Sequence, residues 1–171
     1  MNSFNACYSL PTREELLQLE RSSRRLGSGI DASSLCGSWW IDQLWDRRQA
    51  RSLQRPAALM RALAACLEIS IESERLVLRN RVSLGAISIC FCGHGQLEGT
   101  RPLLKFSFDR LQLRWGERLL MERSLPQPAA QKMPFFALIA LERKAEEGWL
   151  AARGRGGGIA LWRLKPAAAH D

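Results

Sequence analysis

The chain has 171 residues, with 25 Lys and Arg against 17 Asp and Glu, a formal net charge of +8. That length supports one domain with a real core, and no apolar run reaches the ~20 residues that a membrane-spanning helix needs. The positive balance suits anionic partners such as lipid headgroups, nucleic acid or an acidic protein, although an arginine bias also follows from genome base composition.

Met1–Leu10 carries no periodic pattern and is expected to fray, so the domain begins near residue 13. No charged segment followed by an apolar one opens the chain, so no secretory signal is expected and a cytoplasmic setting fits. Thr12-Arg13-Glu14-Glu15 has capping-box spacing. Leu16, Leu19 and Leu26, with Leu17, follow at helical spacing, and Gly27 is a natural stop. This predicts a helix over 13–26, too short to stand alone and suited to capping the mouth of a barrel. After the polar linker 28–34, Leu35–Trp45 reads as a Trp-rich first strand. Asp46–Arg55 is a basic loop, and Pro56 opens a second short helix with Leu59, Leu63 and Cys66 or Leu67 on one face.

From Leu67 onward the apolar period is two, the mark of strands. Leu67, Ile69 and Ile71 share a face. Leu76, Leu78, Val82 and Leu84 form the next alternation, with Arg75, Arg79 and Arg81 opposite. Ala86–Cys92 follows, and His94-Gly95 reads as flanking a turn. Leu103–Asp109 and Leu111–Trp115 read as two further strands, and Gly116-Glu117 turns the chain into Arg118–Arg123. Pro126–Pro134 is a loop, and Pro134–Arg143 is a strongly apolar strand. The chain closes on two alternating runs, Trp149–Ala152 and Ile159–Leu164, joined by the Gly-rich turn Arg153–Gly158. Short strands without crossover helices predict a mainly β, antiparallel barrel of about eight strands. The first strand would pair with the last.

The chemistry-bearing residues are sparse. The cysteines Cys7, Cys36, Cys66, Cys90 and Cys92 form no CxxC pair and are expected to be reduced and buried. Only His94 lies near Cys90 and Cys92, so no metal site is expected. The glycines after Arg153 lack the Lys-Ser/Thr of a phosphate-binding loop, and a strand follows where that loop needs a helix. No Ser/His/Asp or Cys/His arrangement can be drawn, so no catalytic residue is expected. Phe91, Phe106, Phe108, Trp115, Phe136 and Trp162 fall in alternating runs and would form core or line a pocket. Arg47, Arg48 and Arg51 beside Trp45 have the composition of a membrane-surface patch.

Two motifs carry a family resemblance. Leu35-Cys36-Gly37-Ser38-Trp39 is similar to the Leu-x-Gly-x-Trp first strand of the plastid lipid-associated protein/fibrillin family. Leu150–Gly157 is similar to that family's closing Arg-Gly hairpin, followed here by the apolar run Ile159–Trp162. The resemblance runs through residues 13–164 in order and is most like the cyanobacterial form. It implies a lipocalin-like barrel that binds a hydrophobic molecule (a carotenoid, a quinone or another lipid) without catalysis or cofactor, with peripheral contact to a thylakoid membrane. It also implies closure by Gly37, Trp39 and Gly154, with Arg153 or Arg163 lying over the Trp39 ring. Trp39, Phe91, Phe106, Phe108, Trp115 and Phe136 are then the pocket residues. An assembly factor holding a protein partner, and single-stranded nucleic-acid binding, are the alternatives. Inward aromatics with outward arginines would argue against nucleic acid.

Overall fold

The computed structural model describes residues 9–46, 65–145 and 147–165. The helix expected from Pro56, the basic loop beyond Asp46, the frayed start and the tail lie largely outside these residues. The described chain is mainly β, with antiparallel strands and one α-helix. Helix α1 spans Arg13–Leu26. The strands are β1 (Gly37–Trp45), β2 (Cys66–Glu72), β3 (Arg75–Leu84), β4 (Ile87–Glu98), β5 (Leu103–Trp115), β6 (Arg118–Ser124), β7 (Phe135–Lys144), β8 (Glu147–Gly154) and β9 (Ile159–Lys165).

Strand β1 pairs with β2, and the sequence of neighbours continues through β3 and β4 to β5. Strand β5 pairs at Leu103–Lys105 with β7 and at Arg110–Trp115 with β6. From β7 the pairing passes to β8, then β9, and back to β1. The hydrogen bonding therefore forms a closed circuit, with β6 attached outside it. The expected meeting of first and last strands is present: Trp39 stands opposite Leu164 and Ile41 opposite Trp162.

Alternation gives the sheet two faces. One carries the larger core, including Trp39, Ile41, Leu78, Leu104, Leu138, Leu150 and Trp162. The other carries a smaller cluster of Trp45, Ile139, Trp149, Ala151, Ile159 and Leu161, packed against Leu16 of α1. The helix thus lies across the face opposite the main core, not over the mouth of the circuit as expected from sequence.

Helix α1 begins with the expected capping box. The Thr12 hydroxyl accepts from the Glu15 N–H (3.3 Å), and the Glu15 carboxylate accepts from the Thr12 N–H (2.7 Å). Gly27 ends it at φ +83°, a region open to glycine, and its N–H donates to the Ser23 carbonyl (3.0 Å). The buried side, however, is Leu16, Glu20 and Ser23. Leu19 and Leu26, expected to face the core, are 38 % and 84 % exposed.

Two strand readings differ from the structure. His94-Gly95 is not at a turn: β4 runs through it to Glu98, and Gly93 and Gly95 face Phe108 and Phe106 on β5. Leu103–Asp109 and Leu111–Trp115 are one strand, interrupted by a bulge at Asp109. A further bulge at Asp42 shifts the alternation of β1, so Trp45 faces α1 whereas Trp39 faces the main core.

Glu20 fixes the helix. Its carboxylate accepts from Arg153 Nε (2.7 Å) and Nη2 (2.5 Å), from Arg24 (2.9 Å) and from Arg101 (3.0 Å). These join α1 to the end of β8 and to the turn before β5. Burial raises the Glu20 pKa, but the hydrogen bonds and charges of Arg153 and Arg24 outweigh it and hold the carboxyl at about 2, against an ordinary 4.5. A depressed carboxylate pKa adds stability above the unfolded-state value that is lost as pH falls through the folded one. The Glu20 contribution is therefore full above about pH 4.5 and decays toward pH 2. Glu20→Gln should cost roughly 3 kcal/mol in urea unfolding at neutral pH, because it leaves the arginines without their counter-charge. The same variant should flatten the loss of stability between those two pH values.

Candidate functional site

The pocket residues expected from sequence are mostly brought together. Phe136 packs edge-on against Trp162 at 5.3 Å between ring centroids, and Phe106 stacks on Phe136 at 5.1 Å. Phe108 lies 5.4 Å from Phe106, and Phe91 lies 5.7 Å from Phe108. A continuous aromatic run therefore crosses β9, β7, β5 and β4 on the main-core face. Each separation falls in the range of favourable ring pairs.

Glycine makes room for this run. A Cβ on Gly95 would meet Leu78 Cδ1 at 2.5 Å, and one on Gly93 would strike the Ser107 carbonyl and come within 2.7 Å of Phe108 Cα. With only hydrogens there, β4 and β5 approach closely. Around the run, burial is graded. Trp39, Leu78, Leu104 and Leu138 are fully buried, whereas Phe91, Phe106, Phe108 and Phe136 remain partly accessible. Farther along the same strands, Leu84, Ile87, Ile89 and Trp115 are exposed.

Two sequence-expected pocket residues are placed differently. Trp39 is wholly buried, and its indole Nε1 donates to the Leu35 carbonyl (2.7 Å), so it is core and not lining. Trp115 stands opposite Ile87 and Arg118 at the far end of β5, 57 % exposed, and does not join the aromatic run.

The closure residues divide in the same way. Gly37 sits at φ +146°, a conformation that favours glycine, with Leu164 Cδ1 2.6 Å from where a Cβ would be. Gly154 belongs to the expected hairpin: its N–H donates to the Gly158 carbonyl (2.9 Å), and its carbonyl accepts from Gly157 (2.8 Å). Neither expected arginine lies over Trp39. Arg153 is held by Glu20 and also donates to the Gly157 carbonyl, and Arg163 pairs with Asp42 (2.9 Å) on the other face. Lys165 lies over a different ring, 4.6 Å from the centre of Trp40.

Of the expected membrane-surface patch, Trp45 is buried against α1 at 5 % exposure, while Arg47, Arg48 and Arg51 lie outside the described residues. Among the described residues no helix is long and apolar enough to cross a membrane.

Sequence reasoning missed Glu20, Arg101 and Arg143. The signal for Glu20 was present: it follows Leu16 by four residues, on the buried stripe. Arg143 donates to the Cys36 carbonyl (2.5 Å), and Arg155 donates to the Met133 (3.0 Å) and Gln131 (2.5 Å) carbonyls. Part of the arginine excess thus serves loop backbone that has no strand partner.

The cysteines and His94 add no reactive group to the aromatic run. Cys66, Cys90 and Cys92 are buried and free, and Cys36 is partly buried and free. Burial first, then the charge of Glu68, pushes the Cys66 thiol up to about 12, and burial likewise raises Cys90. Neither carries a thiolate at neutral pH. His94 lies on the opposite face from the aromatics, exposed, 3.5 Å from the Asp109 carboxylate. Among the described residues, no group of three His, Cys, Asp or Glu side chains converges to hold a metal ion.

Comparison with models of known protein families and with curated protein sequences returns no match. Gly93→Ala should destabilise the fold by about 1–3 kcal/mol through overpacking at the β4–β5 approach. Gly156→Ala, with nothing within contact distance, should stay within about 0.5 kcal/mol of the parent in the same urea titration.

Proposed function

We propose that the closed sheet is a lipocalin-like barrel that binds a hydrophobic small molecule against the aromatic run, without catalysis. A carotenoid, a quinone or another lipid is the ligand class. The observation that carries this reading is the partial exposure of Phe91, Phe106, Phe108 and Phe136 on the face that holds the main core. A filled core buries such rings fully, and an apolar wall open to entry is what small-molecule sites present. The setting at photosynthetic membranes rests on the resemblance of the two end motifs alone.

A second reading, an assembly factor that holds a protein partner, draws on a different observation. Leu84, Ile87, Trp115, Leu120 and Met121 are exposed toward one end of β3–β6. Nucleic-acid stacking has less support. The aromatic run and the arginines of β3 and β5 lie on opposite faces, and Trp40 on the outer face is covered by Lys165.

Titration with an isoprenoid quinone should quench the intrinsic tryptophan fluorescence. Trp162→Phe should remove most of that quenching, because Trp162 touches the aromatic run, and Trp115→Phe should leave it intact. Phe106→Ala should weaken binding about tenfold or more, the scale of one buried aromatic side chain. No quenching by quinone, carotenoid or fatty acid, together with stoichiometric capture of one protein partner, would replace this reading with the second.

A further inference from the structure

The face of β3, β4 and β5 that turns away from the aromatics carries a second, independent feature. Strand register sets three rows side by side there. Arg79, Cys92 and Arg110 form the first, and Arg81, Cys90 and Gln112 the second. Ser83, Ser88 and Arg114 form the third. In the first two rows a short thiol stands between two long polar chains. Strand β4 thereby becomes the floor of a cleft of about 280 Å³, walled by arginines from both sides.

The walls are not neutralised from within. Four arginines line the cleft against one carboxylate, Glu117. Arg79 pairs with Glu72 (2.8 Å), Arg81 with Glu68 (3.6 Å) and Arg110 with Asp109 (3.4 Å), and none of these three carboxylates lines the cleft. Arg114 donates to the Glu117 carbonyl (2.8 Å) and to Gln112 (3.4 Å). A guanidinium has five N–H donors, and these contacts use one or two of them. Arg81 Nε is buried with no hydrogen-bond partner among the described residues. The floor holds no carboxylate: it is formed by the free Cys90 and Cys92, whose sulfurs lie 3.6 Å apart.

We propose that this cleft binds a phosphoryl group, carried either by a free phosphate or pyrophosphate compound or by a lipid headgroup. A planar carboxylate matches one guanidinium fork, whereas a phosphoryl group offers oxygens in several directions and takes donors from both walls at once. Small residues along β4 let the anion approach the sheet. The site lies on the opposite face from the aromatic run and does not depend on what that run binds.

Calorimetric titration of the full chain with inorganic pyrophosphate, at fixed salt, tests the proposal. Binding should weaken about tenfold or more in Arg81→Gln and in Arg110→Gln. It should be unchanged in Arg25→Gln, an exposed arginine on α1. Arg110 is 52 % exposed, so its replacement leaves the fold intact, as circular dichroism would verify. Vesicles of phosphatidic acid in phosphatidylcholine form the second arm. Capture by these vesicles that Arg110→Gln abolishes, without pyrophosphate binding, supports the site and assigns the phosphoryl group to a lipid. Failure to bind either probe overturns the proposal. So does equal binding by all three variants, which would mean attraction to net charge alone.

Discussion

The pairing of β1 with β9 is the constraint on which the other features depend. It brings the two ends of the described sheet together and turns a run of hairpins into a closed circuit of hydrogen bonds. An open sheet of this length would leave β1 and β9 as unpaired edges, a liability for aggregation. Gly37 opens β1 at φ +146°, a conformation that favours glycine, with the Leu164 side chain packed against it. Trp39 fills the space behind it, anchored through its indole N–H to the Leu35 carbonyl. Beside the join, Trp162 meets Phe136 of β7, and the aromatic run has its starting point.

The second organising feature is electrostatic. Glu20 is a buried carboxylate that gathers Arg24, Arg101 and Arg153, and it sits on a helix whose other buried residues are few. Apolar burial by Leu16 alone would hold α1 weakly. The ion cluster sets both the helix position and its orientation, since Arg153 comes from the end of β8 and Arg101 from the turn before β5. Buried ion pairs of this kind contribute more to specificity of arrangement than to net stability in some proteins, and this helix, with its short apolar stripe, suits that role.

Much of this was legible in the sequence, and the misreadings share a physical origin. The capping box at Thr12 and Glu15, the helix bounds, the glycine hairpin after Arg153 and the meeting of first and last strands all follow from local spacing. The bulges do not. An extra residue at Asp42 reverses the facing of every later residue in β1, which puts Trp45 on the opposite face from Trp39. The extra residue at Asp109 breaks an alternation that continues beyond it, so one strand reads as two. Gly93 and Gly95 read as a turn because glycine commonly marks one, yet here they admit close strand approach beneath Phe106 and Phe108. The role of Glu20 is not legible locally, because two of its partners lie 81 and 133 residues away.

The sheet thus presents two chemically distinct surfaces from the same strands, aromatic on one side of β4 and arginine-lined on the other. The claim at the centre of this account is that the aromatic side receives an apolar guest. Broadening of side-chain NMR signals by a lipid-soluble spin label, such as doxyl-stearate, tests it most directly. The account predicts broadening confined to the rings of Phe106, Phe108, Phe136 and Trp162, with Trp45 and Trp149 beneath α1 unaffected. Broadening centred on Trp45 and Trp149, or none at the phenylalanines when label is in excess, would contradict it.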